Sequence, residues 1–188
     1  SSFRVIWNHD NENIVPIYGF CRREDIIYIL YEVISLSLDP LIVSKEKRLS
    51  EEQISSIALG IVKGMNFLHM NNVIHRSLKP SSILLTEDFT PKISGLTLST
   101  TETEQKSHIV GTPPYMAPEQ FGQEYCDTKL DVYAFGILLW EMLKGEHYCS
   151  GISATDIYYR TMQGQIPALD NIDEKYKNIL EQCLLRNP

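Results

Sequence analysis

VIHRSLKPSSILL, residues 73–85, joins two short apolar runs through a polar centre. It has the look of a catalytic loop without a carboxylate. Only the His75 imidazole can accept a proton near neutral pH, since the Ser77 and Ser82 hydroxyls are neither basic nor anionic there. Arg76 and Lys79 add fixed positive charge.

On the C-terminal side, residues 83–85 and 92–94 read as two short strands joined by the turn TEDFT. Residues 95–115 are rich in Ser, Thr, Glu and Gly without periodicity, which predicts a mobile loop. DVYAFGILLWEML (131–143) is apolar on nearly every face, as a helix in the centre of a domain would be, and Gly145 ends it. Further helices and loops follow.

On the N-terminal side, Ser50 is a good N-cap. Gln53 is its capping-box partner, and Glu51 and Glu52 sit in the positive first turn. Apolar residues then recur at Ile54, Ile57, Ala58, Ile61, Val62, Met65 and Leu68, one stripe at helical spacing. Residues 35–47 read as a short helix and a loop. IVPIYGFC (14–21) and IIYILY (26–31), separated by the polar RRED, read as a hairpin. Strands first and helices after make the class α+β with segregated elements.

Composition narrows the function. The 188 residues are 43% hydrophobic and 22% charged, ordinary for a globular domain. A net charge of -7 argues against nucleic acid, whose partners carry a basic face. Cys21, Cys126, Cys149 and Cys183 form no C-x-x-C pair and read as reduced thiols, which predicts a cytoplasmic setting. His147 and Cys149, two apart, fall far short of a metal site. No apolar run approaches the ~20 residues of a membrane span, and nothing resembles a signal peptide. The chain opens mid-pattern at SSFRVIW and stops at LLRNP, which suggests a truncated domain whose C-terminal end is missing.

The loop at 73–85 resembles the protein kinase motif H-R-D-L-x-x-x-N. GTPPYMAPEQ (111–120) contains Ala117-Pro118-Glu119, similar to the A-P-E that closes a kinase activation segment. DVYAFGILLWEMLKGE resembles the central helix of the large lobe, and NENIVPIYGF the start of the fourth strand. Ser77 to Gly95 spans 18 positions (95 − 77) and Gly95 to Glu119 spans 24 (119 − 95), both suiting the family's spacing. The texture resembles the tyrosine-kinase-like, Ser/Thr-specific group. The resemblance implies a two-lobed fold: residues 1–34 as the end of the small lobe and hinge, 35–188 as the large lobe. Within the latter lie the catalytic-loop region 73–85, the activation segment 95–119 and the central helix 131–144.

The same resemblance implies losses at three sites. Ser77 stands where the proton-accepting Asp belongs, and Ser82 where an Asn holds a second magnesium. Gly95, in Gly95-Leu96-Thr97, stands where the D-F-G aspartate holds the first. Removing a positioned proton acceptor costs about 10²–10⁴ in rate, and lost metal stabilisation removes several kcal/mol more. No Gly-rich loop or V-A-I-K lysine occurs in the chain, and the helix glutamate falls at Ser2. The resemblance therefore implies a pseudokinase that needs no cofactor. Its rivals are a weakly active Ser/Thr kinase and a nucleotide-sensing module that holds ATP without magnesium.

Other positions carry implied binding or structural roles. Tyr31 is the gatekeeper, the backbones of Glu32 and Ile34 face an adenine, and Leu84 lies beneath its ring. Lys79 would touch a terminal phosphate and Arg76 a phosphate on the activation segment, where Thr100, Thr101, Thr103 and Ser107 are candidate acceptors. His75, Leu96, Ile6 and Ile17 would stack as a spine. Asp131 would bond the catalytic-loop backbone, and Glu119 an arginine beyond Pro188. The implied partners are proteins, an active kinase among them.

Overall fold

The computed structural model of the chain describes residues 10–101, 110–121 and 127–184. Its first element is an antiparallel hairpin of β1 (Ile17–Arg23) and β2 (Ile26–Tyr31), in which Ile17 pairs with Tyr31 and, after a register shift between Ile17 and Gly19, the strands pair from Gly19 with Leu30 to Arg23 with Ile26. The polar RRED does not separate the strands as a unit. Arg22 and Arg23 extend β1, and the turn is Glu24-Asp25 alone, with Glu24 left-handed at φ 56°. Pro16 interrupts the first apolar run. Ahead of it, Ile14 forms an isolated parallel bridge with Ile93, where Val15 N–H donates to the Ile93 carbonyl at 3.0 Å.

A second sheet has the order β3 (Leu36–Ser37), β5 (Ile83–Leu85), β6 (Pro91–Ile93), all antiparallel. The stretch 35–47 thus holds a two-residue strand besides the short helix α1 (Asp39–Ile42). A third pairing joins β4 (Val73–Ile74) to β7 (Thr100–Thr101). That strand and the 3-10 turns Leu96–Leu98 and Pro113–Tyr115 give order to much of the segment expected to be a mobile loop. Thr103 and Ser107 lie outside the described residues.

Helix α2 (Glu51–Met70) starts as its sequence dictates. Gln53 N–H donates to Ser50 Oγ at 3.2 Å, and Ser50 N–H to Gln53 Oε1 at 2.9 Å, satisfying two orphan donors. Ile54, Ile57, Ile61, Met65 and Leu68 are buried, but Val62, one residue off the stripe, is exposed. Gly60 and Gly64 are buried on the same side, and β6 lies against them. A Cβ on Gly60 would come within 2.8 Å of Pro91 Cδ, so only a residue without one admits the sheet this closely.

The short α3 (Pro118–Phe121) leads to α4 (Lys129–Lys144), which is buried from Leu130 to Met142 save for Val132. Gly145 closes it, donating its N–H to the Glu141 carbonyl at 2.8 Å. Helices α5 (Ala154–Met162) and α6 (Glu174–Cys183) follow, capped by Ser153 and Asp173. Each fully buried aliphatic side chain in this core contributes about 1.5–3 kcal/mol. No helix of the described residues is long and apolar enough to cross a membrane.

Candidate functional site

The loop between β4 and β5 is held from below by one carboxylate. Asp131, 1% exposed at the start of α4, accepts from the N–H of His75 at 2.8 Å and of Arg76 at 2.9 Å. His69 Nε2, at the end of α2, reaches the same carboxylate at 2.9 Å. This clamp supports a left-handed Arg76, φ 63°, a conformation that costs a residue bearing a Cβ about 1–2 kcal/mol.

His75 is fully buried, and its two nitrogens have separate tasks. Nδ1 accepts from Ser77 N–H at 3.2 Å, so Nε2 carries the hydrogen and donates to the Ser94 carbonyl at 2.8 Å. The ring is neutral in this arrangement. Burial lowers its pKa below 6.5, outweighing the nearby Asp131 charge, which acts in the opposite direction. The only proton acceptor read in the loop is therefore spent on structure.

Ser82 is also committed. Its hydroxyl donates to the Lys79 carbonyl at 2.7 Å and accepts from Lys79 N–H at 3.0 Å, closing the turn Pro80–Ser82. The Ser82 carbonyl accepts from both N–H and Oγ of Ser94, at 2.8 and 3.0 Å. Gly95 follows in a left-handed conformation, φ 76°, and is exposed. Lys79 Nζ donates to Thr112 Oγ1 at 3.1 Å, tying the loop to the segment before α3.

A cavity of about 390 Å³ lies between the hairpin and this loop. Val15, Ile17, Ile29, Ile34, Leu84 and Leu96 are its aliphatic lining. Tyr31 and Gly95 also line it. Glu32 does not: its N–H donates to the Pro16 carbonyl at 3.1 Å, and its carboxylate stands 3.3 Å from Lys92 Nζ. Thr101 lies in β7 opposite Val73, and Glu119 in the first turn of α3.

A family model of the protein kinase domain matches residues 3–188. The chain belongs to the protein kinase family. It is 33% identical over 95% of its length to a Dictyostelium discoideum protein named a probable LIM domain-containing serine/threonine-protein kinase. It is 30% identical over 95% of its length to the serine/threonine-protein kinase STY17 of Arabidopsis thaliana. It is 29% identical over 94% of its length to mitogen-activated protein kinase kinase kinase 12 of Rattus norvegicus. The chain spans 28%, 32% and 20% of those relatives.

Kinase chemistry implies magnesium, and the donors of this kinase-family chain do not fit it. A magnesium site takes oxygen donors in octahedral array, with one or two carboxylates from the protein. Gly95 offers no side chain, and the Ser82 hydroxyl is already bonded to Lys79. Asp88, the acid nearest in sequence, is exposed and tied into the turn between β5 and β6 by Thr86 and Thr90, whose hydrogen bonds lower its pKa. Among the described residues no group of three or more His, Cys, Asp or Glu could hold a metal ion.

Several residues that build the site carry no local signal. Ser94 acts through its carbonyl, and His69 meets Asp131 across 62 positions. Glu141, fully buried in α4, accepts from Tyr115 OH at 3.1 Å and Tyr148 N–H at 2.8 Å, with His147 Nδ1 3.4 Å away. In an apolar helix it reads only as a lone acid.

Proposed function

We propose that this chain is a kinase-fold domain that does not transfer phosphate and acts in cytoplasmic signalling by binding a protein partner, an active kinase being one such partner. One observation carries the reading: none of Ser77, Ser82 and Gly95 offers a carboxylate, and the Ser82 hydroxyl is engaged within its own loop. Phosphoryl transfer rests on positioning and on metal neutralisation of developing charge. The missing proton acceptor alone costs about 10²–10⁴ in rate, and the missing metal ligands add several kcal/mol.

A second reading, a weakly active Ser/Thr kinase, draws on the Lys79–Thr112 hydrogen bond and on the printed names of the relatives. Transfer of labelled γ-phosphate to a generic protein substrate, with Mg²⁺ or Mn²⁺, separates the two. The proposal expects incorporation equal to a blank lacking the protein. Turnover above that blank, lost on Lys79→Met, overturns it.

A further inference from the structure

Several cations of this chain are answered locally. Arg22, Lys63, Lys92, Lys175 and Lys177 each stand within 4.0 Å of a carboxylate oxygen. The run Lys45-Glu46-Lys47-Arg48, between α1 and α2, departs from that pattern. All four residues are exposed, and among the described residues none of the three cations pairs with an acid. The run is held in place: Lys47 N–H donates to Ser44 Oγ at 3.0 Å, and Leu49 is buried.

Arg48 lies over the end of α4. Its Nε is 3.7 Å from a Cβ built on Gly145, 97 positions away (145 − 48). A cation there answers the negative pole of the helix, which accounts for Arg48 but not for Lys45 and Lys47. Lys144 is engaged elsewhere, donating to the Asp170 carbonyl at 3.3 Å. Two acids border the surface, Glu46 within the run and Glu146 after Gly145, both exposed and neither paired with these cations. Residues 45–48 therefore carry +2 (three cations less one acid) in a chain whose net charge is -7. Val43, 48% exposed, adds an aliphatic contact two positions before Lys45.

A positive surface on a negative chain orients a ligand of opposite charge, because the remaining surface repels it. The guanidinium takes a carboxylate through two parallel hydrogen bonds. Recognition of an anionic membrane draws on clusters of about 4–8 Lys and Arg, and nucleic acid on a basic face. Three cations beside an apolar side chain supply neither.

We infer that Lys45, Lys47 and Arg48, gathered at the end of α4, dock a carboxylate-rich segment of a protein partner. The inference rests on the reading that this chain works by binding such a partner, and it names the chemistry the partner presents.

Amide chemical shifts of the isotope-labelled full chain, titrated with the end-blocked peptide Glu-Glu-Leu-Glu-Glu-Leu, test this. Shifts should concentrate on residues 43–48 and 144–146, and raising salt from about 0.05 to 0.5 M should weaken binding at least tenfold. The same peptide with Gln for Glu should leave these amides unmoved. Lys45→Gln with Lys47→Gln should weaken the acidic peptide at least fivefold, and Lys177→Gln, a cation of α6 beside Glu174, less than twofold. Should the double variant fail to fold, Lys45→Gln alone serves, with at least a twofold loss. Shifts spread over the whole chain, an equal response to the Gln peptide, or an equal loss in Lys177→Gln overturns the inference. So does tighter binding at the same residues by inorganic phosphate, a DNA duplex or vesicles containing phosphatidylserine. Absent shifts with blank-level phosphate transfer overturn this inference alone, whereas transfer above the blank overturns the proposed function.

Discussion

A Cβ built on Gly95 stands 3.4 Å from the Cβ of Ser82, in ordinary van der Waals contact, so two positions 13 apart in sequence (95 − 82) face each other beside the cleft. The place where two metal-binding side chains would converge is thus kept, and one of them is a hydroxyl committed to its own loop. Gly95 is left-handed, a conformation that Asp adopts more readily than most residues. There is room for an acid where the sequence has none, although a Cβ in the left-handed conformation costs about 1–2 kcal/mol.

Restoring the carboxylate at Gly95 should therefore meet no clash closer than the 3.4 Å contact with Ser82, at a backbone cost of about 1–2 kcal/mol. Ser77→Asp with Gly95→Asp is expected to raise phosphate transfer from blank level by at least about 10², the lower bound for a positioned proton acceptor. Gly95→Asp alone should stay at blank level. A labelled-phosphate assay of the three proteins side by side checks this, and wild-type turnover that merely rises would favour the weakly active kinase.

His75 makes stability depend on pH. Its folded pKa lies below the unfolded value of 6.5, because burial disfavours the charged ring. Below about pH 6.5 the unfolded chain binds a proton that the folded chain refuses, so stability is full above that pH and falls as acid is added. His75→Gln should flatten the decline by at most about 1.4 kcal/mol per pH unit, one proton's worth. Urea unfolding of both proteins between pH 5 and 7.5 measures the difference.

Local chemistry explains which features the sequence disclosed. The capping box at Ser50 and Gln53, the apolar faces of α4 and the stop at Gly145 each depend on neighbours within one or two turns. The hairpin was visible for the same reason, although RRED alone could not say that Arg22 and Arg23 still pair with β2. β3 was hidden because two residues carry no period. The bond of Asp131 to the catalytic-loop backbone was legible only through the kinase resemblance, and the commitment of Ser82 to Lys79 was not legible at all, because it depends on backbone groups, which every residue possesses. Motif spacing located Ser77, Ser82 and Gly95, but only geometry brings Gly95 against Ser82 and turns Glu32 from the cavity toward Pro16 and Lys92.

Gly60 decides how closely α2 approaches β6. Alanine would gain up to about 1 kcal/mol in helix propensity, but its Cβ would press into the Pro91 ring, 2.8 Å from Cδ and nearer to Cγ, with Asn13 Nδ2 at 3.0 Å. Asn13 is itself pinned, donating to the Pro91 carbonyl at 3.0 Å. Overpacking of this kind costs about 1–3 kcal/mol, so Gly60→Ala should destabilise despite its propensity. Gly64→Ala should do the same, since its Cβ would meet the Asn13 carbonyl oxygen at 2.8 Å. Equilibrium denaturation showing either variant more stable than wild type would contradict the packing.

Glu141 offers a test with the opposite pH sense. Desolvation raises its pKa above 4.5, against the opposing pull of the Tyr148 N–H, the nearby His147 and the Tyr115 hydroxyl. Between 4.5 and the raised value the folded chain holds a proton that the unfolded chain has released, so Glu141 supports the fold best in acid and less as pH rises. Glutamine keeps the shape and never ionises. Glu141→Gln should therefore destabilise most near pH 4.5 and progressively less toward pH 7. Tyr115→Phe acts by another route, removing a donor from a buried carboxylate, and should cost about 1.5–3 kcal/mol at pH 7, where that charge needs it. Urea titrations at pH 4.5, 5.5 and 7 distinguish the two patterns, and a Glu141→Gln penalty that grows with pH would mean that the hydrogen bonds outweigh desolvation.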